Sequence, residues 1–517
     1  MDDHRLGWGG GPHRKGRTRN PMMNVQGKSD QPIVPAKLLN NAASAAAEAM
    51  EGRGGAKGNA HQSGTRQTQS WESVSPALER IRDAARRDKR VRFTALLHHV
   101  SVDLLRFSAL QLKKAAAPGV DGVTWAVYEA DLENNLHDLH QRVQRGGYRA
   151  KPSRRQFIPK PDGRKRPLGI TALEDKIVQR AVGEVLSAIY ETDFLGFSYG
   201  FRPGRSQHDA LDALAAGITE KKVRWIVDAD IRSFFDSMSH EWLMRFLEHR
   251  VADRRLLRLI GKWLKAGVLE DGRLLATEQG TPQGAVISPL LANIYLHYVY
   301  DLWVHQWRRR NAHGDMIVVR YADDTVVGFM FERDARQFLA DLALRLEQFG
   351  LQLHPDKTRT IAFGRFVLKW CRDQGRRPET FNFLGFTHIC GVNRRGKFIL
   401  RRHTMRERLG AKLREVRDAL RRMMHMAIHE QGAYLKRVVN GWLNYFAVPT
   451  NNRAVNSFYR HVAWYWFRTL RRRSQTRTLN WAGMKRLTDR WLPPARLRHP
   501  LPDVRFRVNT QGRSPVR

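Results

Sequence analysis

Two β-rich runs, Met316-Ile317-Val318-Val319-Arg320 and Thr325-Val326-Val327-Gly328-Phe329, stand four residues apart, separated by Tyr321-Ala322-Asp323-Asp324. β-Branching and apolar density predict two strands, and so short a link folds them into a tight hairpin. That turn carries two adjacent carboxylates. At about 4 Å and an effective dielectric of about 20, like charges repel by roughly 4 kcal/mol. A divalent cation relieves the repulsion, and a hard cation such as Mg²⁺ takes carboxylate oxygens together with substrate phosphates. Taken alone, the tetrapeptide fits an ordinary solvated turn equally well, since Asp is a common turn residue.

Roughly ninety residues upstream the chain reads Trp225-Ile226-Val227-Asp228-Ala229-Asp230-Ile231-Arg232-Ser233-Phe234-Phe235-Asp236. Trp225 to Val227 begin a buried strand, and Asp230 falls near its end. Asp228 and Asp236 read as structural, at a strand edge and at a helix start or turn. An apolar strand ending in a carboxylate, plus a hairpin carrying two more, suits two-metal phosphoryl transfer. There, two cations about 4 Å apart clamp the attacking and leaving oxygens. Between these segments lies Gly280-Thr281-Pro282-Gln283-Gly284-Ala285-Val286-Ile287-Ser288-Pro289-Leu290-Leu291-Ala292-Asn293-Ile294, a glycine-bearing turn leading into a long apolar helix, Ile287 to Trp307.

From about Ser75 to the C-terminus, this ordered set resembles the reverse transcriptases encoded by bacterial group II introns. Asp230 to Asp236 is similar to polymerase motif A, Gly280 to Ile294 to motif B, and Tyr321 to Asp324 to motif C. The resemblance implies an α+β, right-hand polymerase fold: fingers and palm with an antiparallel palm sheet, then an all-α thumb/maturase domain. It implies that Asp230, Asp323 and Asp324 are catalytic and hold two Mg²⁺ ions. Phe235 would be the steric gate beneath the sugar, its ring filling the volume a ribonucleotide 2′-hydroxyl needs. Gln283 would lie near the incoming dNTP.

Further matches complete the implied site. Gln156 to Ile170, with its Pro161-Asp162-Gly163 turn, reads as strand, turn, strand, and is similar to the family's fingers hairpin. Lys160 and Arg166 there match the positions that contact the triphosphate, where a guanidinium grips phosphate oxygens bidentately. Leu351 to Thr358 resembles motif D, which makes Lys357 a candidate general acid near the departing pyrophosphate. Phe383-Leu384-Gly385-Phe386 resembles the primer grip, and Leu435 to Phe446 the thumb signature. In the thumb, Lys436, Arg437, Arg471, Arg472 and Arg473 are the candidate RNA-binding residues. Trp442, Tyr445 and Phe446 read as a helix core stripe.

Composition points the same way. A chain of 517 residues has room for two or three domains. A net charge of +40 exceeds what solubility requires and predicts a polyanionic partner, bound salt-dependently. No apolar run approaches the roughly 20 residues of a membrane-spanning helix, and no signal peptide opens the chain. Two cysteines, Cys371 and Cys390, have no zinc spacing, which suits a reduced, cytoplasmic setting. Many proteins of the resembled family end in a cysteine-bearing endonuclease domain. This chain shows no such pairs, so the expectation is integration without a nick, from primers already present.

The expected organisation is a disordered basic arm over 1–70, with a possible short helix at Ala42 to Met50, and a helical N-terminal extension over 71–150. Fingers and palm take 151–395, thumb/maturase helices 396–475, and a basic tail that binds target DNA 476–517. Expected helices run from Ser75 to Arg87, Leu96 to Lys114, Arg401 to Gln431, Ala433 to Phe446 and Asn456 to Arg473. The implied function is RNA-directed DNA polymerisation, copying intron RNA and assisting splicing and mobility, with nucleoid association during integration. The implied partners are group II intron RNA, an RNA template with a DNA primer, and target DNA. Two alternatives are a reverse transcriptase domesticated for host defence and a catalytically idle RNA-binding maturase. RNA synthesis is a third, against which Phe235 argues.

Overall fold

The computed structural model describes residues 63–159, 165–270, 272–276, 278–473 and 479–510. Lys160, residues 1–62 of the arm expected over 1–70 and the expected Ala42 to Met50 helix lie outside the described residues, while 63–70 are helical.

The described chain is a mixed α+β structure with three sheets. The strands are β1 (Ser153–Pro159), β2 (Lys165–Ile170), β3 (Trp225–Ala229), β4 (Val268–Glu270), β5 (Arg273–Leu275), β6 (Met316–Tyr321), β7 (Asp324–Phe329), β8 (Arg359–Ala362), β9 (Phe381–Phe383), β10 (Phe386–Val392) and β11 (Phe398–Thr404). The central sheet has the order β6-β7-β3-β8 and is antiparallel throughout. A second sheet, β2-β1-β4-β5, contains the parallel β1–β4 pair, and the third is β11-β10-β9.

The expected hairpin forms, with Val318 opposite Val327 and Tyr321 opposite Asp324. Its side chains alternate between two cores, because successive residues of a strand point to opposite faces. Val318, Val327 and Phe329 pack with Phe338 and Leu342 of helix Glu332–Glu347. Ile317, Val319 and Val326 join the other core, beside Leu211 and Leu214 of helix Gln207–Glu220 and the C-terminal helices. Covered on both faces, the strands read as continuous apolar runs.

Several helix boundaries differ from expectation. The first described helix, Ser63–Arg87, begins before Ser75 and carries Pro76 inside it. The Leu96 to Lys114 prediction resolves into a 3₁₀ turn, Leu97–His99, and a helix Val102–Leu110. The break comes from Ser101, whose side chain caps the second helix by accepting from the Leu104 N–H. The predicted long helix from Ile287 is Ser288–Leu296 and Leu302–Arg310 joined by a π turn, His297–Asp301.

The helix expected from Arg401 starts later, because β11 continues to Thr404, held by its pairing with β10. Helix Arg406–Arg422 follows, and Gln431 belongs to the next helix, Ile428–Phe446. The buried Gln431 amide donates to the carbonyls of Met423 and Met426, which closes the intervening turn. Helix Asn452–Arg471 comes next, and the tail is partly helical, in Trp481–Trp491 and Pro502–Thr510. Among the described residues, no helix is long and apolar enough to cross a membrane.

Candidate active site

The turn between β6 and β7 consists of Ala322 and Asp323. Ala322 sits at φ +56°, in the left-handed region where a residue with a Cβ costs roughly 1–2 kcal/mol. Surrounding contacts hold it there. Gly200 passes so close that a Cβ on it would lie 2.3 Å from the Ala322 nitrogen. The Arg320 guanidinium donates to the Ala322 carbonyl at 2.8 Å.

Asp230 reaches the same place from the end of β3. Ala229 pairs with Thr325, so the next residue along β3 emerges beside Asp324. The segment that follows helix Glu332–Glu347 is stitched to this strand end. The Arg232 N–H donates to the Gln352 carbonyl, and the His354 N–H to the Asp230 carbonyl, both at 2.8 Å. That stitching delivers Lys357, whose Nζ lies 2.5 Å from Asp230 Oδ2.

The electrostatics are those of crowded like charges. Loss of hydration and the Asp230 charge push the Asp323 carboxyl above its ordinary range, against its own backbone N–H, Arg166 and Lys357. Asp324 is pushed up to about 7 by loss of hydration and by the charges of Asp323, Asp230 and Asp228. Asp324 keeps a solvent-exposed surface, so the neighbouring charges outweigh its loss of hydration. Asp228 is raised to about 6, chiefly by burial.

Among the described residues, no three His, Cys, Asp or Glu side chains form a metal-binding group by themselves. The donors present are nonetheless all hard oxygens that repel one another. Such a set suits Mg²⁺, which keeps waters and takes one or two carboxylates plus substrate phosphates. The residues fit that ion.

The nucleotide-side candidates lie on adjoining elements. Phe235 is buried in the short helix Phe234–Ser237, its carbonyl accepting from the Thr281 N–H at 2.8 Å. Gly280, at φ +82°, presses against this helix; a Cβ there would lie 2.8 Å from the carbonyl oxygens of Phe235 and Asp236. Gln283 is half-buried, and its carbonyl accepts from the Gly169 N–H of β2 at 2.7 Å. Arg166, exposed on β2, is close enough to act on Asp323. Asp230, Asp323, Asp324, Lys357 and Arg166 therefore share one site, with Phe235 on the short helix that follows Asp230 and Gln283 on the loop bonded to β2.

The helical candidates lie elsewhere. Lys436 and Arg437 are exposed on helix Ile428–Phe446, and Arg471, Arg472 and Arg473 at the end of helix Asn452–Arg471. Sequence reasoning missed Arg320 and its buried partner Asp301, 2.6 Å apart. The available signal was one charge, Arg320, closing an otherwise apolar strand. Asp301 gave none, because its position depends on the π turn.

Part of the chain matches a known protein family. Residues 158–388 match the family described as reverse transcriptase (RNA-dependent DNA polymerase). The chain is similar to Protein YkfC of Escherichia coli (strain K12), 42% identical over 200 residues, which are 38% of this chain and 52% of YkfC. It is similar to Group II intron-encoded protein LtrA of Lactococcus lactis subsp. cremoris, 36% identical over 222 residues, 43% of this chain and 37% of LtrA. A third relative is an uncharacterized 91 kDa protein in a cob intron of Schizosaccharomyces pombe, 33% identical over 224 residues, 42% of this chain and 28% of that protein. The chain spans about half of the first relative and about a third of the other two. It carries a reverse transcriptase domain and has group II intron-encoded proteins among its relatives.

Proposed function

We propose that the chain is an RNA-directed DNA polymerase that copies group II intron RNA and assists its splicing. In this reading 151–395 form fingers and palm of a right hand, with the central sheet as palm. Residues 71–150 extend the fingers, 396–475 form the thumb/maturase domain, and 476–517 a basic tail toward target DNA. The convergence of Asp230, Asp323 and Asp324 beside Lys357 and Arg166 carries the proposal.

The reaction is attack of a primer 3′-hydroxyl on the α-phosphate of a dNTP, releasing pyrophosphate. Asp230, Asp323 and Asp324 would hold two Mg²⁺ ions, which when bound supply positive charge to the attacking and leaving oxygens. Arg166, and Lys160 with it, bind the triphosphate. Phe235 occupies the space a 2′-hydroxyl would need, and Gln283 borders the nucleotide. Lys357 is placed to give up Asp230 when substrate enters and to protonate the departing pyrophosphate.

Splicing assistance is a binding activity, carried by basic surfaces on the helices. Helix Asn452–Arg471 contains no acidic residue, and exposes Arg453, Arg460, Trp464 and Arg468 outward. Lys436, Arg437 and Arg471 to Arg473 extend the basic surface offered to RNA. The partners are intron RNA, an RNA template with its DNA primer, and target DNA, in the cytoplasm and at the nucleoid during integration. Primer extension on an RNA template with dNTPs and Mg²⁺ tests the reading. Wild type should extend and Asp323→Asn should not; equal activity would overturn the carboxylate assignment.

A further inference from the structure

We infer that Arg320 is a positioning residue for the catalytic turn, and that Asp301, Asn293 and Ser198 exist in their buried places to hold it. Arg320 is 1% exposed, although it directly precedes Tyr321 on a strand that otherwise buries only apolar side chains. All five of its N–H groups have acceptors, the full inventory of a guanidinium. Nε donates to Asp301 Oδ1 at 2.7 Å, and Nη2 to Asp301 Oδ2 at 2.6 Å. Nη2 also donates to Ser198 Oγ at 2.7 Å, and Nη1 to Asn293 Oδ1 at 3.2 Å. The last N–H, on Nη1, holds the Ala322 carbonyl.

That last bond does the positioning. A trans peptide points its C=O and N–H in opposite directions. With the Ala322 carbonyl drawn back onto Arg320, the N–H of Asp323, on the same peptide, faces away from the guanidinium. The guanidinium thus sets the plane of the peptide from which a proposed metal ligand hangs. Asn293 closes a second loop, its Nδ2 donating to the Gly200 carbonyl at 2.7 Å, beside the Ala322 nitrogen. The backbone is clamped as well: the Arg320 N–H donates to Phe197 and its carbonyl accepts from Tyr199, both at 2.9 Å.

The π turn His297–Asp301 explains how Asp301 and Asn293 reach one guanidinium. In an unbroken α-helix, eight residues advance about 80° past alignment. One extra residue taken up by a π turn turns Asp301 back by about 100°, to roughly the face of Asn293. π turns recur at functional sites, and this one places a carboxylate behind the proposed metal ligands.

The inference rests on the reading of Asp230, Asp323 and Asp324 as a divalent-cation site. Its test is Mn²⁺ binding to the free protein by electron paramagnetic resonance, alongside single-nucleotide primer extension, for wild type, Asp301→Asn and Arg320→Lys. Partners behind metal ligands typically contribute about 10–100-fold in metal affinity or activity. Both variants should weaken Mn²⁺ binding in that range and lower kcat, with the KM for dNTP changed less than about twofold. A folded variant with wild-type Mn²⁺ affinity overturns the inference, whatever its activity. If neither variant folds, Ser198→Ala removes one acceptor only; it should weaken Mn²⁺ binding in the same direction, and no change overturns the inference. Wild-type protein that binds no Mn²⁺ and extends no primer overturns the polymerase reading instead.

Discussion

Phe235 shows how a single side chain links packing to selectivity. Its ring is buried, stacked edge-on against Phe234 at 5.5 Å between centroids, and its backbone is bonded to Thr281. A ring so fixed cannot swing aside for an added hydroxyl. Phe235→Ala should therefore admit ribonucleotides while retaining dNTP incorporation, read as the ratio of kcat/KM values for dNTP and rNTP. That ratio should fall by at least about tenfold, the scale of a steric difference of 1–3 kcal/mol; an unchanged ratio would remove Phe235 from the gate. At this scale much of the site was legible in the sequence, because Asp230, Phe235, Asp323 and Asp324 lie on short contiguous segments. Arg320 was not, because its meaning depends on Asp301, Asn293 and Ser198, which only the fold assembles.

At the scale of elements, strands were legible wherever β-branched runs met a short turn. Helix ends were missed where a side chain beyond the turn decides them, as Gln431 does for the turn after Arg422 by bonding the carbonyls of Met423 and Met426. The β9–β10–β11 sheet hides a further decision. His388 of β10 is fully buried and stacked on Phe381 of β9, with centroids 4.8 Å apart and planes 7° from parallel. Among the described residues neither ring nitrogen has a hydrogen-bond partner, and burial, then the Arg402 charge, depresses its pKa to about 3. The sign follows directly: the folded state binds the proton more weakly than the unfolded state, whose imidazole titrates near 6.5. The stability contribution is complete above about pH 6.5 and is lost as pH falls toward 3, at about 1.4 kcal/mol per unit. Between pH 6.5 and 5 the wild type should lose about 2 kcal/mol more than His388→Phe. Urea midpoints at the two pH values measure it, and parallel losses would mean that His388 is not the sensor.

Across the whole molecule, the C-terminal segment is tied to helix Gln207–Glu220 and to β11 through one buried carboxylate. Asp212, on helix Gln207–Glu220, is completely buried and receives two guanidiniums. Arg402 of β11 donates to it at 2.8 Å, and Arg505 of the tail bonds its other oxygen. Arg505 also donates to His499 Nδ1 at 2.8 Å, leaving His499 Nε2 to donate to the Asn444 carbonyl at 2.6 Å. Beside it, the Arg498 N–H donates to the Ala447 carbonyl, and its guanidinium to Asn440. Arg505, read from sequence as part of a basic tail for nucleic acid, pairs its charge with a buried carboxylate instead, and Arg498 is engaged by amide oxygens of helix Ile428–Phe446. None of this could be inferred from a Pro- and Arg-rich composition, since Asp212 lies nearly three hundred residues upstream. With one carboxylate serving two guanidiniums, the contributions cannot be equal. Asp212→Asn leaves both cations buried without a counter-charge and should cost about 3–5 kcal/mol, as breaking a buried pair does. Arg505→Ala leaves Arg402 paired with Asp212 and should cost clearly less. In the double variant the loss should fall short of the sum, because Arg505 is then absent when its counter-charge is removed. Chemical denaturation of the four proteins measures this coupling; strict additivity would mean that Arg505 of the tail is not coupled to Asp212.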